Sequence, residues 1–133
     1  MQVWEAVTGQ RIYTYYGHNS HVVSVAWSPD GSHIASAGWD QTVQVWTPTK
    51  GSPVYTYHGH NDVVVAAVWS PDSKLIASAS YDKTVQVWNA QNGSLVVTYR
   101  KHTKQLENVA WSPRGAHIAS AGDDKTVQVW QIE

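Results

Sequence analysis

No cysteine occurs in the 133 residues, which excludes disulfides and thiolate metal ligands. Phenylalanine is missing too, and methionine occurs once. Charge is scarce: 14% of residues are charged and the formal net charge is −1. That gives no electrostatic basis for binding nucleic acid or an anionic membrane. No apolar run approaches the ~20 residues that a membrane-spanning helix needs. Nothing near Met1 resembles a secretory signal, and a cytoplasmic location is the expectation. No motif calls for a cofactor.

Tryptophan, by contrast, is abundant: there are 8, and their spacing explains them. Trp4, Trp46, Trp88 and Trp130 recur every 42 residues. So do Asp40, Asp82 and Asp124, and so do His18, His60 and His102. Trp27, Trp69 and Trp111 keep the same step, each followed by Ser-Pro. No insertion breaks the register. The chain reads as a single repeat domain with repeats at about 9–46, 51–88 and 93–130. Residues 1–7 share the phase of 127–133. "DQTVQVW" (40–46) and "DKTVQVW" (82–88 and 124–130) end the repeats, and "MQVW" (1–4) is a stub of the same segment.

Within one period the pattern is β. "HVVSVAW" (21–27) is Val-rich and runs into "SPDG" (28–31), a Pro-Asp-Gly turn. "HIASAG" (33–38) is a short strand, and "WDQT" (39–42) is a tight turn. "VQVW" (43–46) alternates apolar and polar side chains. A Pro- and Gly-containing loop (47–53) leads to a fourth strand, "VYTYHG" (54–59). Four short strands per 42 residues match one propeller blade.

Taken together, Gly17-His18, Gly59-His60, "WSPDG", "IASAGWD" and "VQVW" resemble the WD-repeat β-propeller family over essentially the whole chain. The resemblance implies an all-β fold: three repeats of four-stranded antiparallel blades, in a ring closed by oligomerisation. Two features depart from the family pattern. Lys101-His102 replaces Gly-His in the third repeat. Thr47, Asn89 and Gln131 follow the strand-ending Trp where the family has Asp. The resemblance also implies a hydrogen-bonded tetrad per blade. These are His18, Ser36, Asp40 and Trp46; His60, Ser78, Asp82 and Trp88; and His102, Ser120, Asp124 and Trp130. An indole N–H, a hydroxyl, an imidazole and a carboxylate can satisfy one another in a chain.

Ser, His and Asp together also suggest a nucleophilic triad. Three identical sets at structural turns, each with a Trp competing for the hydroxyl, favour a structural role, and no nucleophile elbow is present. No catalytic residue is expected. His21, His33, His58 and His117 are scattered with no zinc-like spacing, so no metal is expected. "NGS" (92–94) fits a glycosylation acceptor but reads as a hairpin turn. The basic "RKHTK" (100–104) reads as a solvated loop. Trp27, Trp69 and Trp111 are assigned to packing between blades.

WD-repeat proteins resemble rigid scaffolds, and the family implies binding on the face bearing the tight turns. The matching residues before the turn Asp are Trp39, Tyr81 and Asp123. The matching positions at the start of the first strand are His21 and Val23, Val63 and Val65, and Gln105 and Glu107. These phases vary between repeats while the tetrad phases do not.

A closed propeller needs at least about four blades, so three call for further copies. A homodimer makes six blades and a homotrimer nine. The expected function is a non-enzymatic scaffold for an unidentified protein partner, with no nucleic acid and no membrane. Two alternatives stand beside it: a piece of a longer propeller or an engineered repeat protein without a native ligand, and a glycan- or small-molecule-binding propeller. Each joint of a closed ring has two copies of "QVW" for one place. The copy at Val127–Trp130 is expected to take it, leaving residues 1–4 displaced or disordered.

Overall fold

A computed structural model describes residues 1–132. The described residues form thirteen strands in four antiparallel sheets. The first sheet pairs β1 (Gln2–Trp4) with β2 (Arg11–Thr14). The second runs β3 (Val22–Trp27), β4 (Ile34–Gly38), β5 (Val43–Trp46) and β6 (Pro53–Tyr57). The third repeats it with β7 (Val64–Trp69), β8 (Leu75–Ser80), β9 (Val85–Asn89) and β10 (Leu95–Tyr99). The last holds β11 (Leu106–Trp111), β12 (His117–Gly122) and β13 (Val127–Gln131). Neighbours in sequence are neighbours in space, as an up-and-down blade requires. The sheets do not close into a ring.

The turns are set by residues in the left-handed region. Gly31, Ser73 and Gly115 take φ 74°, 63° and 77° after each Ser-Pro. Gln41, Lys83 and Lys125 take φ 67°, 72° and 66° after each turn Asp. Gly9, Gly51 and Gly93 close the outer hairpins at φ 72°, 62° and 73°. The "NGS" stretch is therefore a hairpin turn in the structure, as the sequence suggested. A Cβ on Gly51 would run into the Tyr13 ring, whereas Gly9 faces open space. Gly51→Ala is therefore expected to cost about 2 kcal/mol in urea unfolding, and Gly9→Ala about 1 kcal/mol from backbone strain alone. Equal losses would mean that the Tyr13 contact contributes nothing.

The core lies between sheets. Ala35, Ala37, Val43 and Val45 pack against Val64, Ala67, Trp69 and Ile76 of the next blade. Ala77, Ala79, Val85 and Val87 meet Leu106, Val109 and Ile118 in the same way. Alanines on the second strand let the facing sheet approach, and each fully buried Val contributes about 1.5–3 kcal/mol. A smaller cluster joins Val3, Tyr15, Ile34 and Trp46.

Both outer faces of the stack lack this cover. Val127 and Val129 are 70% and 65% exposed, against 0% and 1% for Val43 and Val45 in the same phase. Trp27 is 53% exposed, against 7% for Trp69. Inter-blade packing thus describes Trp69 and, half-buried against the second cluster, Trp111, while Trp27 stays half exposed on the open face.

Residues 1–4 are seen here in a single chain and not in the closed ring for which their displacement is expected. Gln2–Trp4 is neither displaced nor disordered but forms β1 on β2. In a single chain no second copy competes, and a short hairpin brings "QVW" to the nearest open edge at low entropic cost. Its turn bonds, Glu5 N to Gln10 O at 2.7 Å and Gly9 N to Glu5 O at 2.8 Å, match those of residues 47–52.

Candidate functional site

Each repeat brings its His, Ser, Asp and Trp into one chain of hydrogen bonds. His18 Nδ1 lies 2.8 Å from Asp40 Oδ2, and His18 Nε2 lies 2.7 Å from Ser36 Oγ. The Trp46 indole N–H donates to Ser36 Oγ at 3.1 Å. The second repeat has 2.8 Å for His60–Asp82, 2.8 Å for His60–Ser78 and 3.1 Å for Trp88–Ser78. The third has 2.8 Å, 2.8 Å and 3.4 Å for the same pairs of His102, Asp124, Ser120 and Trp130. With Nδ1–H pointing at the carboxylate, Nε2 accepts the Ser hydroxyl, which in turn accepts the indole N–H. Each group is both oriented and satisfied.

This polarity is that of a Ser–His–Asp triad, but access is absent. Ser36, Ser78 and Ser120 are buried, and the indole already occupies the hydroxyl oxygen. A nucleophile needs space about 3 Å from its oxygen for a substrate carbon. Here a tryptophan ring holds that space.

The network is wider than the tetrad. Thr42 Oγ1 donates to Asp40 Oδ1 at 2.8 Å, and the Asn19 amide donates to Asp40 Oδ2 at 3.2 Å. Gln44 donates to Gly17 O at 3.2 Å and accepts the Tyr15 hydroxyl at 2.6 Å. The Tyr15 ring stacks on Trp46 at 4.3 Å and 1°. Tyr57, Thr84 and Gln86 repeat this arrangement, and Tyr99, Thr126 and Gln128 repeat its Tyr–Gln bond, its Thr–Asp bond and its ring stacking. Sequence reasoning omitted these residues, although Thr, Gln and Tyr recur every 42 residues just as strictly. Their strict recurrence was the signal that could have found them.

The electrostatics follow from these contacts. Burial alone would raise the Asp82 carboxyl, but donation from His60, Thr84 and Asn61 outweighs it and holds Asp82 below the usual range. Asp40 is lowered by the same balance. Asp124 is lowered mainly by the Thr126 hydroxyl. Burial pushes the Tyr57 hydroxyl up to about 12, with Tyr55 and Asp82 adding to the effect. At neutral pH the second repeat therefore combines the Asp82 carboxylate with a protonated Tyr57 phenol.

The variable face residues meet in pairs above the tetrads. Trp39 N donates to His21 O at 2.9 Å, Tyr81 N to Val63 O at 3.0 Å, and Asp123 N to Gln105 O at 2.9 Å. Val23, Val65 and Glu107 are the extra residues of a β-bulge on each inner strand, where register skips between Val22/Ser24, Val64/Ala66 and Leu106/Asn108. Trp39 is 52% exposed, and its ring lies 4.6 Å from that of His21. Val23, Glu107 and Asp123 are also exposed, while Val63, Val65, Tyr81 and Gln105 are half-buried. Gln105 donates to Glu107 at 3.1 Å. The face thus grades from aromatic at the first repeat to acidic at the third. Among the described residues no cluster of His, Asp or Glu could hold a metal ion.

Antiparallel up-and-down sheets stacked face to face, three of them each holding a buried tetrad, define a propeller-type repeat protein. The family model "WD domain, G-beta repeat" matches residues 9–47, 51–89 and 93–131, and the chain belongs to this family. Its relatives include WD repeat-containing protein 1 of Xenopus tropicalis, 62% identical over 29 residues, which is 22% of this chain and 5% of that protein. WD repeat-containing protein 1 of Gallus gallus is 55% identical over 29 residues, again 22% and 5%. Guanine nucleotide-binding protein subunit beta-5b of Danio rerio is 36% identical over 44 residues, 33% of this chain and 11% of that protein. The matches thus span a small part of these relatives. WD-repeat proteins generally serve as protein-interaction scaffolds.

Proposed function

We propose that the chain is a non-enzymatic protein-interaction scaffold that completes its propeller with further copies of itself. The observation that carries this reading is the mismatch of exposure between repeats. Val127 and Val129 are bare where Val43, Val45, Val85 and Val87 are covered, and Trp27 is bare where Trp69 is covered. The two open faces are copies of surfaces that already pack against each other inside the chain. In the joint, Val127 and Val129 of one copy cover Val25 and Trp27 of the next. Two copies give six blades and three give nine. Solution mass from light scattering is expected to be that of a dimer or trimer; a monodisperse monomer overturns the reading.

Partner binding falls to the tight-turn face. Exposed Trp39 over His21, with Tyr81 and the bulge residues Val23 and Val65 beside it, supplies an aromatic and apolar patch. The acidic end at Glu107 and Asp123 gives the patch a direction. Trp39→Ala with Tyr81→Ala is expected to abolish capture of a protein partner by cross-linking, with stability changed by less than about 1 kcal/mol. Equal capture by the double variant removes this face from the proposal, and retention on a glycan array that the variant loses moves the function to sugar binding.

A further inference from the structure

Two joints inside the chain are built differently. Three hydrogen bonds cross from the sheet β3–β6 to the sheet β7–β10. Ala67 N donates to Ser24 Oγ at 3.3 Å, Asp30 N to Ser73 Oγ at 3.2 Å, and the Trp69 indole to Ala26 O at 3.1 Å. One period later both acceptor hydroxyls are gone, because Ala66 and Gly115 stand in the phases of Ser24 and Ser73. The indole tie is lost as well: Trp111 donates to Gly115 O of its own turn at 3.3 Å. The joint between β7–β10 and β11–β13 is held instead by the apolar cluster around Leu106, Val109 and Ile118. Where the ties are missing, a notch of about 220 Å³ lies on the side of the Ser-Pro turns. Pro71, Asp72 and Leu75 line it from one blade, and Trp111, Arg114 and Ile132 from the next. The matching place at the first joint measures about 60 Å³, and there the His33 ring lies over Trp69 at 6.4 Å and 23°.

The lips of the larger notch carry opposite charges. Arg114 is exposed and makes no ion pair among the described residues. Asp72 is exposed on the facing lip. Its Oδ1 accepts from Ser70 Oγ at 2.6 Å and from Lys74 N at 3.0 Å, which holds its carboxyl below the usual range. Both bonds go to Oδ1, so Oδ2 is left for a ligand. At the first joint the same two phases hold Asp30 and Asp72, a pair of like charges. The floor between the lips is apolar, since Leu75, Trp111 and Ile132 pack on the cluster behind it.

We propose that this notch binds a small zwitterion, an amino acid with an aliphatic side chain. Its carboxylate meets the Arg114 guanidinium, its ammonium meets Asp72 Oδ2, and its side chain lies on Trp111 between Leu75 and Ile132. The notch is smaller than the roughly 300–1,000 Å³ of sites for drug-sized ligands, which suits a molecule of few heavy atoms. Both charged lips touch water, so the affinity is modest, with a Kd on the order of 1 mM. A bound zwitterion bridges the two blades and so supplies the polar tie that this joint lacks. The site lies between two blades of one chain and is independent of self-association.

The test titrates L-leucine into the isotope-labelled protein and follows the Trp111 indole N–H by NMR, with Trp111→Tyr to assign the signal. Leucine is expected to shift that signal saturably. N-acetyl-leucine lacks the ammonium and leucinamide lacks the carboxylate. Each is expected to bind at least about tenfold more weakly, as is leucine itself to Arg114→Gln or Asp72→Asn. Gly115→Ser restores the hydroxyl of the first joint and is expected to close the notch to leucine. The backbone accepts a serine there: Ser73 holds φ 63° in the phase where Gly115 holds 77°. A Cβ on Gly115 would meet Pro71 Cδ at 3.6 Å and Trp111 Nε1 at 3.9 Å, which is ordinary contact. Three results overturn the proposal. Absence of a saturable shift removes the site, and equal binding to Arg114→Gln places the ligand elsewhere. Equal binding of N-acetyl-leucine makes the notch a seat for a carboxylate alone, such as a peptide C-terminus.

Discussion

Trp88→Ala is expected to cost about 3–5 kcal/mol, whereas Trp4→Ala, in the same repeat phase, is expected to stay within about 0.5 kcal/mol of wild type. The two residues end the same Gln-Val-Trp segment, so local sequence cannot separate them. Their surroundings can. Trp88 is fully buried, stacks on Tyr57 at 4.3 Å and 3°, and donates to Ser78 at 3.1 Å. Its removal opens a large void between two rigid sheets that cannot collapse, and it strips the Ser78 hydroxyl of its donor. Trp4 rests on a two-stranded sheet and keeps most of its ring in water. For a domain of typical stability, about 5–15 kcal/mol, the first change takes roughly a fifth or more of the total. Urea unfolding followed by near-UV circular dichroism measures both. Equal losses would mean that the tryptophan itself, and not the neighbouring blade, sets the energy. Trp130→Ala should fall between the two, since it keeps Tyr99 and Ser120 but stands in the uncovered end blade.

The same contrast explains which parts of the molecule were legible in the sequence. Strands and turns were legible because a strict 42-residue period multiplies each local signal by three: Val-rich runs, Ser-Pro-Asp-Gly turns and alternating "VQVW" recur in phase. The His, Ser, Asp and Trp of each repeat were legible as a set by their phase and by their resemblance to a known family. Gln86, Thr84 and Tyr57 were not singled out, because their strict recurrence marks them as fixed positions without saying what each one touches. Only the fold lays the Tyr57 ring on Trp88 and brings its hydroxyl to Gln86. The placement of residues 1–4 was illegible for a different reason. Sequence carries the Gln-Val-Trp segment at both 2–4 and 128–130, and only the fold shows which of them lies on β2.

The carboxylates make the tetrads sensitive to acid, and the direction can be derived. Asp40, Asp82 and Asp124 are held below the roughly 3.9 of an unfolded aspartate. A depressed folded value means that the unfolded chain takes up protons first as pH falls. Their stabilisation is therefore complete above about pH 4 and is lost progressively below it, as pH drops through the depressed values. Asp30, lowered to about 2 by the Ser28 hydroxyl and the Ser32 amide, acts in the same direction. The urea midpoint should accordingly hold level from neutral pH down to about 4 and then fall steeply. Asp82→Asn tests the assignment. Asp82 Oδ2 faces His60 Nδ1 at 2.8 Å and accepts from Asn61 N at 3.1 Å, while Oδ1 accepts from Thr84 N at 3.0 Å and Thr84 Oγ1 at 2.6 Å. An amide offers one acceptor where the carboxylate offered two, and it turns a donor toward a donor. The variant is expected to lose about 3 kcal/mol at pH 7 and to show a shallower acid limb than wild type. Asp124→Asn, in the open end blade, should lose less. A wild-type acid limb retained in Asp82→Asn would move the acid sensitivity away from the central tetrad, to the other depressed carboxylates.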